Sequence, residues 1–348
     1  MLNLPRLENQ ELKGKKVLVR ADLDISEGED YRLQTLVPTL KLLNEKGAQI
    51  ILMGHRGRPN GIRDENLSLK GLAPVLSKII GKQVTFIDIF DSKFSETRPL
   101  DNEAIILLEN LRFDPGEESN DPEFVKNFIK KLGDFYGGAT SFAYINDAFA
   151  SSHREHASIV GVPKILSHAA GVRFSLEVEN LSKVLENPQK PVVFLVSGLK
   201  EDKLSEVEPL KKIADKILIA GRLPDYLKDD NPLRKDPQII VADLIPDKED
   251  ITLSSVEKFK EEINKAGTIV VAGPMGKYED EGHRQGTKNV FEIVANSSAF
   301  KVAGGGDSVA AINLLGLASK FDWISVGGGA MLEFLVKGTL PGIQALLG

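Results

Sequence analysis

Eleven short apolar runs recur along this chain, and stretches of helical periodicity separate most of them. In the first half they are 16–24 (KVLVRADLD), 49–54 (QIILMG), 83–88 (QVTFID), 104–108 (AIILL) and 141–145. In the second half they are 192–197 (VVFLVS), 216–221 (KILIAG), 238–243 (QIIVAD), 268–273 (TIVVAG), 300–304 (FKVAG) and 323–327 (WISVG). Runs this continuous do not alternate polar with apolar. They suit strands buried on both faces, as in parallel sheets covered by helices. Amphipathic patterns over 33–45, 69–80 and 121–132 supply helices, the last with an Asp cap and a proline in its first turn. Between the two sets lies a helical pattern over 174–185, followed by Pro188 and Pro191. The expected fold is α/β: two doubly wound, Rossmann-like parallel-sheet domains joined by a helix, with a cleft between them. The boundaries are 1–173, a connecting helix at 174–187, 188–329, and a final helix and tail at 330–348. No sequence repeat relates the halves.

A chain of 348 residues suits two domains. The net charge of −6 gives a nucleic-acid role no electrostatic support. The absence of cysteine excludes disulfides and thiolate metal sites. His153 and His156 lie close together with no third ligand nearby, so zinc is not expected. The N-terminal MLNLPRLENQELKGKK lacks the basic-then-apolar order of a signal peptide, and no apolar run is long enough to span a bilayer. A cytoplasmic location without nucleic-acid or membrane partners is the expectation.

Ligands of open parallel sheets bind beyond the carboxyl ends of the strands. In the first half those ends carry Asp22 and Asp24, then His55, Arg56 and Arg58, then Asn110 and Arg112, then Asn146, Asp147, His153 and Arg154; Arg32 lies at a helix entrance. A surface ion pair accounts for any one of these arginines alone. Together they suit a small, highly anionic ligand, because the guanidinium fork matches carboxylate and phosphate oxygens. In the second half the ends are glycines: Gly198, Gly221, Gly273 with Gly276, Gly304 to Gly306, and Gly327 to Gly329. Such turns bring backbone N–H groups close to a phosphate, where a helix dipole adds positive potential. Asp307 stands where it could cap a helix or hold a metal ion. Lys200 and Lys203 would share one face of a helix and reach phosphates, although two solvated lysines are a serious rival. One domain therefore suits a small anion and the other a nucleotide, with closure expelling water before transfer.

The motifs VLVRADLD, GHRGRP, LLENLRFDPGEESNDPEF, INDAFASSHREHAS, AGPMGKYE, AGGGDS and SVGGGAMLEFL resemble, in that order and over nearly the whole chain, those of the phosphoglycerate kinase family. The resemblance implies an enzyme that transfers a phosphoryl group reversibly between 1,3-bisphosphoglycerate and ADP, giving 3-phosphoglycerate and ATP. It implies Mg²⁺ carried as Mg-ADP or Mg-ATP, and a monomer. Asp22, Asp24, Arg32, His55, Arg56, Gly57, Arg58, Arg112 and Arg154 would bind the glycerate substrate. Arg32, Lys200, Gly306 and Gly328 would serve the transfer itself. Lys200, Lys203, Gly276, Glu279, Gly305, Gly306, Asp307 and Ser308 would hold the nucleotide, Glu279 at the ribose and Asp307 near the metal. Residues 330–348 would return to the N-terminal domain.

The chain departs from the family pattern at several points. Asp24 replaces the usual Asn and sets a charge near an anionic substrate. The two lysines are three apart rather than four, and a glycine triplet reads Ala220-Gly221-Arg222. Ala272 and Val326 replace Asn and Thr. The stretch 222–240 is short, as if a helical unit of the nucleotide domain were missing. Retention of Arg32, Lys200 and Asp307 favours an active enzyme. The rival is an impaired member that binds an anion or a partner. A nicotinamide-dependent dehydrogenase is disfavoured, because no G-x-G-x-x-G follows Val19.

Overall fold

The computed structural model describes residues 2–25, 31–94, 105–136 and 141–348. Within them the chain separates into two compact units, 2–178 with 339–348, and 179–338.

The first unit is built on a six-stranded sheet, β1 (Lys16–Arg20), β2 (Gln49–Met53), β3 (Val84–Ile87), β4 (Ile105–Leu108), β5 (Phe142–Asn146) and β6 (Ser167–Ala170), in the order β3-β4-β2-β1-β5-β6. Every pairing is parallel, with Val17 beside Ile50 on one side and Ala143 on the other. β4 and β5 are buried along their whole length, which explains their unbroken apolar character. Leu33, Leu36, Leu40 and Leu43 of the helix Tyr31–Glu45 pack on Val17, Val19, Ile50 and Leu52. Asp121 caps the helix Pro122–Phe135 as its sequence indicates, its Oδ1 accepting the Glu123 N–H at 2.9 Å. Residue 104, expected to open β4, lies outside the described residues.

The second unit repeats the design with β7 (Val192–Gly198), β8 (Lys216–Gly221), β9 (Ile239–Val241), β10 (Thr268–Ala272), β11 (Phe300–Gly304) and β12 (Trp323–Ser325), ordered β12-β11-β10-β7-β8-β9 and again wholly parallel. The chain runs outward from β7 through β8 to β9, then returns to the other side of β7 with β10. The strand order therefore reverses at β7 and β10, where doubly wound sheets open a crevice for ligands. Helices Leu253–Lys265 and Gln285–Asn296 bury Phe259, Ile263, Phe291 and Val294 against the sheet. Between β8 and β9 there are only two four-residue helical turns, Leu223–Tyr226 and Pro232–Lys235.

Candidate active site

In the first unit the carboxyl ends of β1, β2, β4 and β5 bring polar side chains to one edge. Asp22 follows β1 and is 9% exposed. Its carboxylate accepts the Ser151 hydroxyl and the Ala150 N–H, each at 2.9 Å. Burial pushes its carboxyl up, while Arg32, Arg20 and these hydrogen bonds act the other way. Asp24 accepts the Gly57 N–H at 2.9 Å on Oδ1, and its other oxygen lies 3.8 Å from His55 Nε2. Arg32, in the first turn of Tyr31–Glu45, donates to the Asp24 carbonyl at 2.5 Å.

The loop after β2 turns at Gly57, whose φ of 62° favours glycine and where a Cβ would stand 2.6 Å from Leu67. That turn presents its carbonyl to Arg112 Nη1 at 2.6 Å. Arg112 is 1% exposed, Glu118 lies 3.2 Å from its Nε, and its Nη2 has no hydrogen-bond partner. Burial lowers its pKa to about 10. A buried guanidinium with an open donor is poised for an anion. Arg154 is half-buried, and its N–H donates to the Ser151 carbonyl at 3.1 Å. The fields of Arg20, Arg112 and Arg154 all reach His55.

Other residues at these strand ends serve the scaffold. Asn110 donates to the carbonyls of Arg56 and Leu67 and braces the β2 loop. Asn146 accepts the Ala148 N–H, and Asp147 the Phe174 N–H, each at 3.0 Å. Arg56 is tied to the site through its backbone, and Arg58 is exposed.

Sequence patterns did not single out the layer beneath. Arg20, the last residue of β1, is fully buried with Ser158, Glu117 and Tyr144. It donates from Nε to Ser158 Oγ at 2.8 Å and from Nη1 to the Ala21 carbonyl at 2.7 Å. Glu117 accepts the Ser158 hydroxyl at 2.5 Å and its N–H at 2.9 Å, and Tyr144 donates to the Ser158 carbonyl at 2.8 Å. A charge inside an apolar run was the available signal, since a buried charge requires a partner.

In the second unit, β11 ends in Gly304 and the chain turns at Gly305, φ 101°, into the helix Gly306–Leu314. Gly306 and Asp307 are exposed, and Gly306 has open space where a Cβ would be. Ser308 is buried, its hydroxyl accepting the Gly273 N–H at 2.7 Å, so it ties β10 to this helix. The helix Gly328–Lys337 starts alongside, and a Cβ on Gly328 would come within 2.6 Å of the Gly305 Cα. Two helix N-termini thus meet backbone to backbone. Gly276 donates to Thr287 Oγ1 at 3.1 Å, and Glu279 is exposed with its carbonyl accepting Arg284 at 3.0 Å.

The two lysines do not share a helical face. Lys200 is extended and exposed before the turn Glu201–Glu206. Lys203 folds under Gly198 and donates to the carbonyls of Ser197 at 2.8 Å and Ala272 at 3.2 Å. Burial lowers the Lys203 pKa, with Glu206 and Asp307 opposing. Arg222 continues from β8 beside Gly198 and pairs with Glu249 at 2.9 Å, with Asp225 3.7 Å away.

An arginine-bearing edge in one unit and paired helix N-termini on a glycine edge in the other mark an α/β protein whose sheet edges have the chemistry that suits anions. The family model described as phosphoglycerate kinase matches residues 7–230 and 225–338. The phosphoglycerate kinase of Dictyoglomus turgidum is 35% identical, covering 98% of this chain and 97% of its own. That of Thermosipho africanus is 36% identical, covering 97% and 96%. The solved structure of the Pyrococcus horikoshii phosphoglycerate kinase superposes with a TM-score of 0.83 at 29% identity, covering 99% of this chain and 98% of its own. That from Coxiella burnetii gives 0.79 at 28% identity, covering 99% of each. The chain belongs to the phosphoglycerate kinase family. Its alignment with the Dictyoglomus protein runs over 395 residues, longer than the chain, so the relative has residues that this chain lacks. The two pieces of the family match meet at 225–230, inside the short stretch after β8.

Proposed function

We propose that this chain is a working phosphoglycerate kinase. It moves the C1 phosphoryl group of 1,3-bisphosphoglycerate to the terminal phosphate oxygen of ADP, leaving 3-phosphoglycerate and ATP, and runs in reverse. The observation that carries this reading is Arg112, buried yet with an open Nη2 donor, among Asp22, Arg32, His55 and Arg154.

Arg112, Arg154, His55 and Arg32 would hold the anionic glycerate, with Asp22, Asp24, Arg56, Gly57 and Arg58 shaping its surroundings. The N–H groups at Gly305, Gly306 and Gly328 would face nucleotide phosphates, Lys200 would neutralise charge on the transferring group, and Glu279 would meet the ribose. Lys203, Gly276 and Ser308 would support that surface from beneath. The bond to the acyl oxygen breaks as the bond to the ADP oxygen forms, and the carboxylate leaves with its electron pair. No protein nucleophile is required; the protein supplies position and positive potential. The reaction needs its two substrates to meet with water excluded.

Among the described residues, no cluster of three or more His, Cys, Asp or Glu side chains could hold a metal. The exposed Asp307 suits a magnesium ion that arrives on the nucleotide and takes one protein carboxylate. Bound there, the ion would neutralise phosphate charge. No single helix among the described residues is long and apolar enough to cross a membrane. A cytoplasmic monomer is part of the same proposal.

The test is a coupled assay, 3-phosphoglycerate with Mg-ATP, the product reduced by glyceraldehyde-3-phosphate dehydrogenase and followed as loss of NADH. Turnover is expected, and Lys200→Ala should lower kcat by roughly 10²–10³-fold, as for loss of one transition-state donor. A folded protein that neither turns over nor binds 3-phosphoglycerate overturns the proposal.

A further inference from the structure

His55 receives a hydrogen bond whose chemistry has only one solution. The Nη2 of buried Arg20 lies 2.8 Å from His55 Nδ1. A guanidinium has five donors and no acceptor, so Nδ1 must offer its lone pair and cannot carry a proton. A neutral imidazole with a bare Nδ1 holds its proton on Nε2. Nε2 is also the atom that faces Asp24, 3.8 Å from its carboxylate.

Arg20 cannot turn away from this task. Nε is held by Ser158 and Nη1 by the Ala21 carbonyl, while Ser158 is itself fixed by Glu117. The charged and titratable groups acting on His55 are Arg20 from β1, Arg112 after β4, and Arg154 and His156 after β5, with Asp24 as the opposing carboxylate. Burial and this cationic surround press its pKa well below the usual histidine range. A second proton on Nδ1 would also set one cation against another at hydrogen-bond distance.

We infer that Arg20 is a positioning residue for the substrate: it locks His55 as a neutral Nε2–H donor, so that the anion site does not titrate with this histidine. The inference deepens the proposed phosphoglycerate-binding role and rests on it for the substrate named. His55 then contributes direction rather than charge, and the arginines contribute the charge.

The first test needs no substrate. Long-range ¹H–¹⁵N NMR of the full chain, with His55 assigned from a His55→Gln variant, should show Nδ1 unprotonated and Nε2 protonated, unchanged from pH 5.5 to 8. A protonated Nδ1, or a midpoint in that range, overturns the inference. The second test compares 3-phosphoglycerate KM with pH in wild type, Arg20→Met and Arg20→Lys. The substrate's own phosphate titrates near 6 in all three, so the difference between curves is the readout. Arg20→Met removes one of the groups that oppose a proton on His55, while burial, Arg112, Arg154 and His156 remain. It should raise KM and change the shape of its pH curve toward acid pH while kcat changes less, and Arg20→Lys, which restores a donor, should return the curve toward wild type. Parallel curves would overturn the inference. Loss of 3-phosphoglycerate binding by wild type would instead overturn the proposed function, and the wild-type spectrum still decides the tautomer, also where Arg20→Met does not fold.

Discussion

Asp24 holds the Gly57 N–H with one carboxylate oxygen and turns the other toward His55. An asparagine there keeps the acceptor for Gly57 and loses the negative charge. A unit charge some 4 Å away is worth about 1 kcal/mol even at the dielectric of water. Asp24→Asn is therefore expected to lower the KM for 3-phosphoglycerate about fivefold and leave the KM for ATP unchanged; a rise in the glycerate KM would show that the carboxylate orders the site. Placement at this scale was legible where a charged side chain stood just past a strand end, as with Asp22, His55 and Arg112, all of them buried at one edge of the first sheet. The scaffolding use of Asn110, Asn146 and Ser308 was not, because the sequence does not say whether a polar group meets a ligand or a backbone N–H. The lysine spacing misled for a related reason. Helical periodicity was assumed across Lys200 and Lys203, but the helical turn begins only after Lys200, and Lys203 found two carbonyls. Arg222, which stands where the family pattern has glycine, is drawn to Glu249 and Asp225.

Strands and helices were the most legible level. Each continuous apolar run became a parallel strand, for a run buried on both faces has no polar positions to disguise it. Ser167–Ala170 escaped, since SHAA is short and polar at its start, and it is placed as an edge strand by pairing with β5. The glycines of the second unit were legible as turns but not as packing surfaces. Gly328 and Gly305 touch, so Gly328→Ala must push the two helix entrances apart. Overpacking of this kind destabilises by about 1–3 kcal/mol. Gly329, one residue on, has nothing within 4 Å of a Cβ. Its change to alanine removes unfolded-state freedom and should stabilise by about 0.4–1 kcal/mol. Denaturant midpoints for the pair should move in opposite directions, with the ATP KM rising for Gly328→Ala. A rise for both would show that the contact between helix entrances carries no strain.

Residues 339–348 belong with residues 2–178, although the whole second unit lies between them in sequence. Leu340, Ile343 and Leu346 are at most 2% exposed, and the Gly342 N–H donates to the Ser152 carbonyl at 2.9 Å. Ser151, the residue before, holds Asp22. A chain ending at Gly338 forfeits the burial of three large side chains, roughly 1.5–3 kcal/mol each. Its first unit should melt earlier by calorimetry, and its affinity for 3-phosphoglycerate should fall while ATP binding persists. Equal loss at both substrates would show that the segment supports the whole chain. Sequence patterns could place a helix here but not its partner, since the surface that receives it was written some 190 residues earlier. The same arrangement sets an order of events during synthesis. Domains ordinarily fold in turn as they emerge from the ribosome. Here the unit that begins first is completed by residues 339–348, which follow the second unit in sequence, so the edge that carries Asp22 is closed only after the second unit has been translated. The nascent chain thus carries the glycine turns of its second unit before the arginine edge of its first is complete.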